Sequence, residues 1–293
     1  MPAGEGGAAA APGVVVLGMH RSGTSAVCRI LNLLGADVGP EGDLLTEYDN
    51  PTGHWENTTL VACNDRILSA FGRSWDFPPW PAPGWEYSPR AERLLPDLAE
   101  AFWSVYRSAP WVWKDPRTCL TFPLWRRVVG DGARVVLVTR HPGAVAASVK
   151  RRDGIPALYT VGLWHHYVRA AVAGAAGLGV VCLRFEDLVA SPDAAVAELA
   201  GDLHALGVHL DGDPAAAVAS VRDTLVHGAP ASASLGALSA RTAALLDALP
   251  RRSTYFRPPT WREPRWVRPA LTAYRGQWAL RARAGHPLRA GWA

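Results

Sequence analysis

The residues best suited to chemistry lie in Gly18-Met19-His20-Arg21-Ser22-Gly23-Thr24-Ser25, directly after the apolar run Val14-Val15-Val16-Leu17. A strand, a loop bounded by two glycines five apart and a helix ending at Gly35 would turn the loop amides inward. The natural guest of such a loop is an anion, and the spacing is that of a phosphate-binding loop. The usual Gly-Lys-Ser/Thr ending is replaced by Gly23-Thr24-Ser25, and the nearby cation is Arg21. The pattern points to a nucleotide phosphate, but not to ATP chemistry.

Charged groups recur where other apolar runs stop. Trp111-Val112-Trp113 ends in Lys114-Asp115-Pro116-Arg117. Arg134 to Thr139 ends in Arg140-His141-Pro142-Gly143, and Val180 to Leu183 ends in Arg184-Phe185-Glu186-Asp187-Leu188. A Mg²⁺-dependent phosphoryl-transfer site of the P-loop type carries an acidic residue at such a strand end. Arg140 stands there instead, a cation that repels metal and attracts a second phosphate. Ser148 and Arg152, four residues apart, share one face of the helix expected from Pro142 onward. Two anion sites without a metal-holding carboxylate fit a nucleotide phosphorylated on both the 3′ and 5′ sides of its ribose.

These motifs need a scaffold that brings strand ends together. Besides the strands above, apolar spacing predicts helices over 58–71, 90–107, 157–176, 193–206 and 239–249. Strands separated by helices imply an α/β fold with a central parallel sheet, whose ligands sit beyond the carboxyl ends of the strands. The Trp/Pro-rich stretch 72–89 reads as an irregular insertion that shapes an acceptor pocket. Most of the six tryptophans between Trp75 and Trp113 are expected in the core. Residues 1–12 read as disordered, 13–250 as the domain and 251–293 as a tail with ten arginines against Glu263.

Composition narrows the class. The 293 residues are 49% hydrophobic, enough for one large core, and carry a net charge of only +4, concentrated in the tail. That tail lacks a nucleic-acid motif, so no nucleic-acid partner is expected. Four scattered cysteines show no metal-ligand spacing. No apolar run approaches the length of a membrane span, and the expected location is the cytoplasm. His165-His166 are adjacent, with diverging side chains and no further ligands, and read as helix-surface or core residues.

With these motifs together, the sequence resembles the sulfotransferases that use 3′-phosphoadenosine 5′-phosphosulfate (PAPS). Their 5′-phosphosulfate loop, basic-Ser-Gly-Thr-Thr/Ser, is matched by Arg21, Ser22, Gly23, Thr24 and Ser25. Their 3′-phosphate pair, an Arg and a Ser eight apart, is matched by Arg140 and Ser148. The loop arginine, Lys114-Asp115-Pro116 and Arg152 resemble the tyrosylprotein and bacterial branches. The segment Arg184 to Val189 is similar to one in which a Tyr usually stands where this chain has Phe185. The resemblance spans about residues 14–206. The Arg-Lys-Gly loop that closes over the 3′-phosphate in cytosolic members is absent, and 228–241 is the segment expected to cap the nucleotide.

The resemblance implies a three-layer α/β/α P-loop-like domain. It also implies in-line sulfuryl transfer from PAPS, leaving 3′-phosphoadenosine 5′-phosphate (PAP), to a hydroxyl or amine of a small-molecule or glycan acceptor, with no metal. Lys114 and Arg21 would supply positive charge to the transferred group. The base is open between Glu56, His54 and Glu41. Glu56 is preferred because burial by Trp55 is expected to raise its pKa, whereas a histidine such as His54 is the base type that needs no such tuning. Competing expectations are that Glu56 only caps the helix from 58 and that Lys114 pairs with Asp115. A nucleotide sensor without catalysis and a P-loop kinase are the alternative functions.

Overall fold

The computed structural model describes residues 12–45, 53–80, 82–225, 244–260 and 263–274. Its centre is a five-stranded sheet in the order β2-β1-β3-β4-β5. β1 (Val14–Leu17), β2 (Val112–Lys114), β3 (Arg134–Thr139) and β4 (Gly179–Arg184) run parallel, with Val15 level with Trp113 and Val135. All four side chains of β1 are buried, because helices cover both faces and the strand has no polar side to show. The expected parallel sheet gains one antiparallel edge, β5 (Arg252–Ser253), which pairs with Val180 and Val181 of β4.

Alternating strand residues build two apolar layers. Val15, Leu17, Val135, Leu137 and Val180 face the larger, which holds Trp113, Trp125 and Phe102. Around it pack α2 (Thr58–Ala70), α4 (Leu95–Val105), α5 (Thr118–Val129), α6 (Pro142–Asp153) and α7 (Ala157–Gly174), with the short α3 (Pro89–Glu92) beside them. Val14, Val16, Val136, Val138 and Val181 face the other. There they meet α1 (Thr24–Leu33), α8 (Phe185–Ala190), α9 (Pro192–Ala205) and α10 (Pro214–Leu225). This is the expected three-layer α/β/α arrangement. Among the tryptophans, Trp111 and Trp113 are buried, Trp75, Trp80 and Trp85 pack partly buried against the core, and Trp103 is exposed.

Several boundaries differ from the sequence expectation for local reasons. The helix expected over 90–107 is two helices, α3 and α4, because Pro96 lies in the first turn of α4 and lacks the amide that a continuous helix would need. α5 and α10 carry no element in the sequence reading. Pro123 interrupts the propensity of α5, which is held by burying Cys119, Leu120, Phe122, Leu124 and Trp125. α10 begins where Asp213 Oδ1 accepts from the amides of Ala215 and Ala216. The helix expected over 239–249 is a 3₁₀ turn at Ala244–Ala248 within the described residues. Phe256, Val267 and Leu271, from the arginine-rich C-terminal segment, are buried in the larger core. Residues 1–11 and the segment proposed to cap a nucleotide, 228–241, lie outside the described residues.

Candidate active site

The carboxyl ends of β1, β2, β3 and β4 meet at one edge, and the loop after β1 lies between them. Gly18 opens it with its amide donating to Cys119 Sγ at 3.1 Å. A Cβ on Gly18 would stand 2.6 Å from the Val138 carbonyl, so the loop can cross β3 only without a side chain there. Ser22 N closes a turn onto the Met19 carbonyl, and Arg21 and Gly23 both take positive φ, 66° and 91°. Gly23 also lies against the ring of Phe185, where a Cβ would come within 2.1 Å. α1 then starts with no side-chain cap, leaving the first-turn amides to an outside acceptor. Ser22 Oγ is buried without a hydrogen-bond partner in the same loop. A tight turn, an uncapped helix start and an orphan hydroxyl together fit a bound phosphate.

Beside that loop a buried charge cluster joins β2 to α2. Lys114, at the end of β2, places Nζ 2.7 Å from Glu56 Oε1 and donates to Ser25 Oγ at 3.1 Å. Ser25 Oγ in turn donates to the His54 carbonyl at 3.1 Å. Arg117 Nη1 stands 3.6 Å from Glu56 Oε2 and 3.1 Å from Asp115 Oδ1. Asn64 of α2 supports the cluster from below, donating to Asp115 Oδ2 and Thr118 Oγ1 and accepting from Thr121 and Trp125. Lys114 therefore pairs with Glu56, and its neighbour Asp115 pairs with Arg117. Asn57, not Glu56, caps α2, accepting from the amides of Thr59 and Leu60.

The environment of Glu56 corrects one expectation. Burial does push its carboxyl up, but Lys114 and Arg117 together outweigh burial and hold it below the usual carboxylate range. The raised pKa expected from Trp55 is not present, because both cations are buried alongside the carboxylate. His54 is also buried, whereas Glu41 is exposed on the 3₁₀ turn Glu41–Asp43 and stands outside the cluster.

The second arginine-bearing strand end lies across the loop. Arg140 donates from Nη1 to the Arg21 carbonyl at 3.1 Å and stacks over Phe185 at 4.6 Å. Burial lowers its pKa somewhat, with Glu186 opposing. Ser148 of α6 accepts from Arg21 Nε at 3.0 Å. The side chain expected at the transferred group is thus turned toward Ser148 and joins the loop after β1 to the Arg140/Ser148 side. Arg152 pairs with Asp153 at 2.9 Å and lies 5.9 Å from the Trp75 ring. His141 Nδ1 accepts from the Gly143 amide and fixes the start of α6. His165 and His166 are buried in α7, where His166 Nε2 lies 2.7 Å from the Pro79 carbonyl and Nδ1 3.9 Å from Glu263 Oε1; among the described residues no three His, Cys, Asp or Glu side chains gather as metal ligands.

Nothing in the sequence alone signals the roles of His20, Asn64 and Arg117. His20 lay inside the loop motif, and Arg117 lay in the charged run that ends β2; each was visible as a residue but not as a partner.

The sheet order and the glycine-bounded loop after β1 define an α/β protein with a loop shaped like those that bind phosphate. The chain belongs to the sulfotransferase family: the family model for sulfotransferases matches residues 12–211. Solved structures similar in fold include sulfotransferase STF9 from Mycobacterium avium, at 14% identity and a TM-score of 0.42 over 76% of this chain and 70% of that one. The sulfotransferase domain of the Synechococcus PCC 7002 olefin synthase matches at 14% identity and 0.41, over 91% and 95%. The sulfotransferase domain from the curacin biosynthetic pathway matches at 16% and 0.39, over 83% and 100%. No curated protein matches the chain.

Proposed function

We propose that this sulfotransferase uses PAPS as donor and transfers its sulfuryl group to a hydroxyl or amine of a small-molecule or glycoconjugate acceptor. The observation that carries the reading is Lys114 Nζ bridging Ser25 Oγ, at the uncapped start of α1, and Glu56 Oε1. One ammonium thereby touches both the phosphate-binding loop and a candidate base.

In this reading Ser22, Gly23, Thr24 and Ser25 hold the donor's 5′-phosphosulfate through loop amides and hydroxyls. Arg140, Ser148 and Arg152 hold the 3′-phosphate, and Arg21 spans the two sites. PAPS, when bound, supplies the activated sulfuryl group. Lys114 stabilises the charge that develops on the departing oxygens. As its ammonium turns to those oxygens, Glu56 loses its nearest counter-charge, and burial then raises its basicity toward that of a proton acceptor. His54, buried and joined to Ser25 through its carbonyl, is the second candidate base. No step requires a metal ion. Among the described residues no helix is long and apolar enough to cross a membrane.

Calorimetry with PAP, and in parallel with ATP and Mg²⁺, tests the donor. Binding of PAP and not of ATP supports the reading; preference for ATP with Mg²⁺ returns the protein to kinase-like chemistry. Incubating metabolite pools with ³⁵S-labelled PAPS then identifies the acceptor.

A further inference from the structure

Two buried polar side-chain atoms of the phosphate-binding loop lack a partner, Ser22 Oγ and His20 Nε2. The first is accounted for by the phosphate the loop is built to hold. The second is not. His20 is only 8% exposed, and an imidazole nitrogen buried without a partner is costly unless a ligand completes it. Its ring is fixed between Trp75, at 4.7 Å between centroids, and Tyr167, at 5.8 Å. Those two residues are themselves tied, since Tyr167 Oη donates to the Trp75 carbonyl at 2.7 Å. The imidazole is therefore held in place, close enough to Arg152, Arg117 and Lys114 to feel their charges.

Burial, and after it the charges of Arg152, Arg117 and Lys114, lower the pKa of His20 well below its ordinary value. The ring is neutral at neutral pH, and a neutral imidazole still carries one N–H. A further full charge among Lys114, Arg117 and Arg152 would chiefly tighten ground-state binding. A fixed neutral donor adds direction without that cost.

We propose that His20 is a catalytic residue that donates a hydrogen bond from Nε2 to an oxygen of the sulfuryl group during transfer. The inference rests on the PAPS reading above and assigns the loop a donor beyond its amides and hydroxyls. His20 neither gains nor loses a proton in this role; the acceptor's proton goes to the separate base.

The test compares His20→Phe, which keeps an aromatic ring but no N–H, with His20→Gln, which keeps a side-chain N–H. The probe reaction is release of ³⁵S-sulfate from PAPS to water. His20→Phe should lower kcat by about tenfold to hundredfold, the scale of one hydrogen bond to a charged group, with the Kd for PAP changed less than about twofold. His20→Gln should retain several-fold more activity than His20→Phe. In wild-type protein carrying ¹⁵N-histidine, the Nε2 resonance of His20 should move with PAPS and not with PAP, which lacks the sulfuryl group. Wild-type rates in His20→Phe, equal losses in both variants, or a loss of PAP affinity matching the loss of rate would each overturn the proposal. If the variants do not fold, an Nε2 resonance identical with PAPS and PAP overturns it. Failure of the wild-type protein to bind PAP would instead overturn the donor reading, and His20's role with it.

Discussion

Replacing Lys114 by Met keeps most of the side-chain volume and removes the charge facing Glu56. The pair is 1% and 6% exposed at its two side chains, so water cannot take over the lost partner. Removing one member of a buried pair costs about 3–5 kcal/mol, because the other charge stays buried without compensation. Arg117 still stands 3.6 Å from Glu56, which places the expected loss at about 3 kcal/mol. The pH dependence has a definite sign. In the wild type the folded-state pKa of Glu56 is depressed, so its contribution is present above the unfolded carboxylate range and is lost as pH falls through the folded value. In Lys114→Met, burial dominates and the folded pKa of Glu56 rises. The variant should then be most destabilised at neutral pH and recover relative to wild type as pH falls toward 5. Denaturant unfolding at pH 8 and pH 5, on Lys114→Met, Glu56→Gln and the double variant, measures the coupling. The double variant should regain more than half of the loss. A single-variant loss below about 1 kcal/mol, or strictly additive losses, would refute a compensated buried pair.

Three further outcomes follow from the same geometry. Arg140→Ala should weaken PAP binding by about tenfold to hundredfold in calorimetry, a loss of about 1.5–3 kcal/mol, while far-ultraviolet dichroism stays unchanged; unchanged affinity would remove it from the 3′-phosphate site. Gly23→Ala should reduce PAP affinity and thermal stability together, because the new Cβ meets the Phe185 ring at 2.1 Å at a φ of 91°, and Gly23→Ala combined with Phe185→Ala should recover part of the stability by relieving the contact but not the strain. Glu56→Gln should abolish sulfuryl transfer with PAP affinity retained, and His54→Ala should impair transfer less; the reverse order would make His54 the base.

What the sequence made legible was set by how local each determinant is. The loop from Gly18 to Ser25 and the strand Arg134–Thr139 could be read outright, since glycine spacing and a continuous apolar run depend on near neighbours alone. Helix α5 could not, because Pro123 and its threonines argue against a helix and only burial against α7 and the sheet overrules them. The edge strand at Arg252–Ser253 is two residues long and exists through its pairing with β4, which no local pattern announces. The site shows the same division. Lys114 and Glu56 were each identifiable as charged residues beside a strand end or a turn. Their 2.7 Å contact joins positions 58 apart in sequence, and this contact together with Arg117 reverses the expected direction of the Glu56 pKa.

That reversal bears on how the proposed base and the proposed electrostatic stabiliser can share one small cluster. A carboxylate buried alone beside Trp55 would be largely protonated or would destabilise the fold, and a buried lysine alone would tend to lose its proton. Paired, the two charges compensate one another, with Arg117 and Asp115 balancing the remaining charges and Asn64 filling the hydrogen-bonding positions beneath. The resting pair leaves Glu56 a weak base, which protects it from idle protonation. In the proposed reaction the charge that develops near Lys114 competes for the ammonium, so the basicity of Glu56 rises as the leaving oxygens need the cation. The two functions are therefore coupled through one hydrogen bond, and substituting either residue should alter both the pH dependence and the rate.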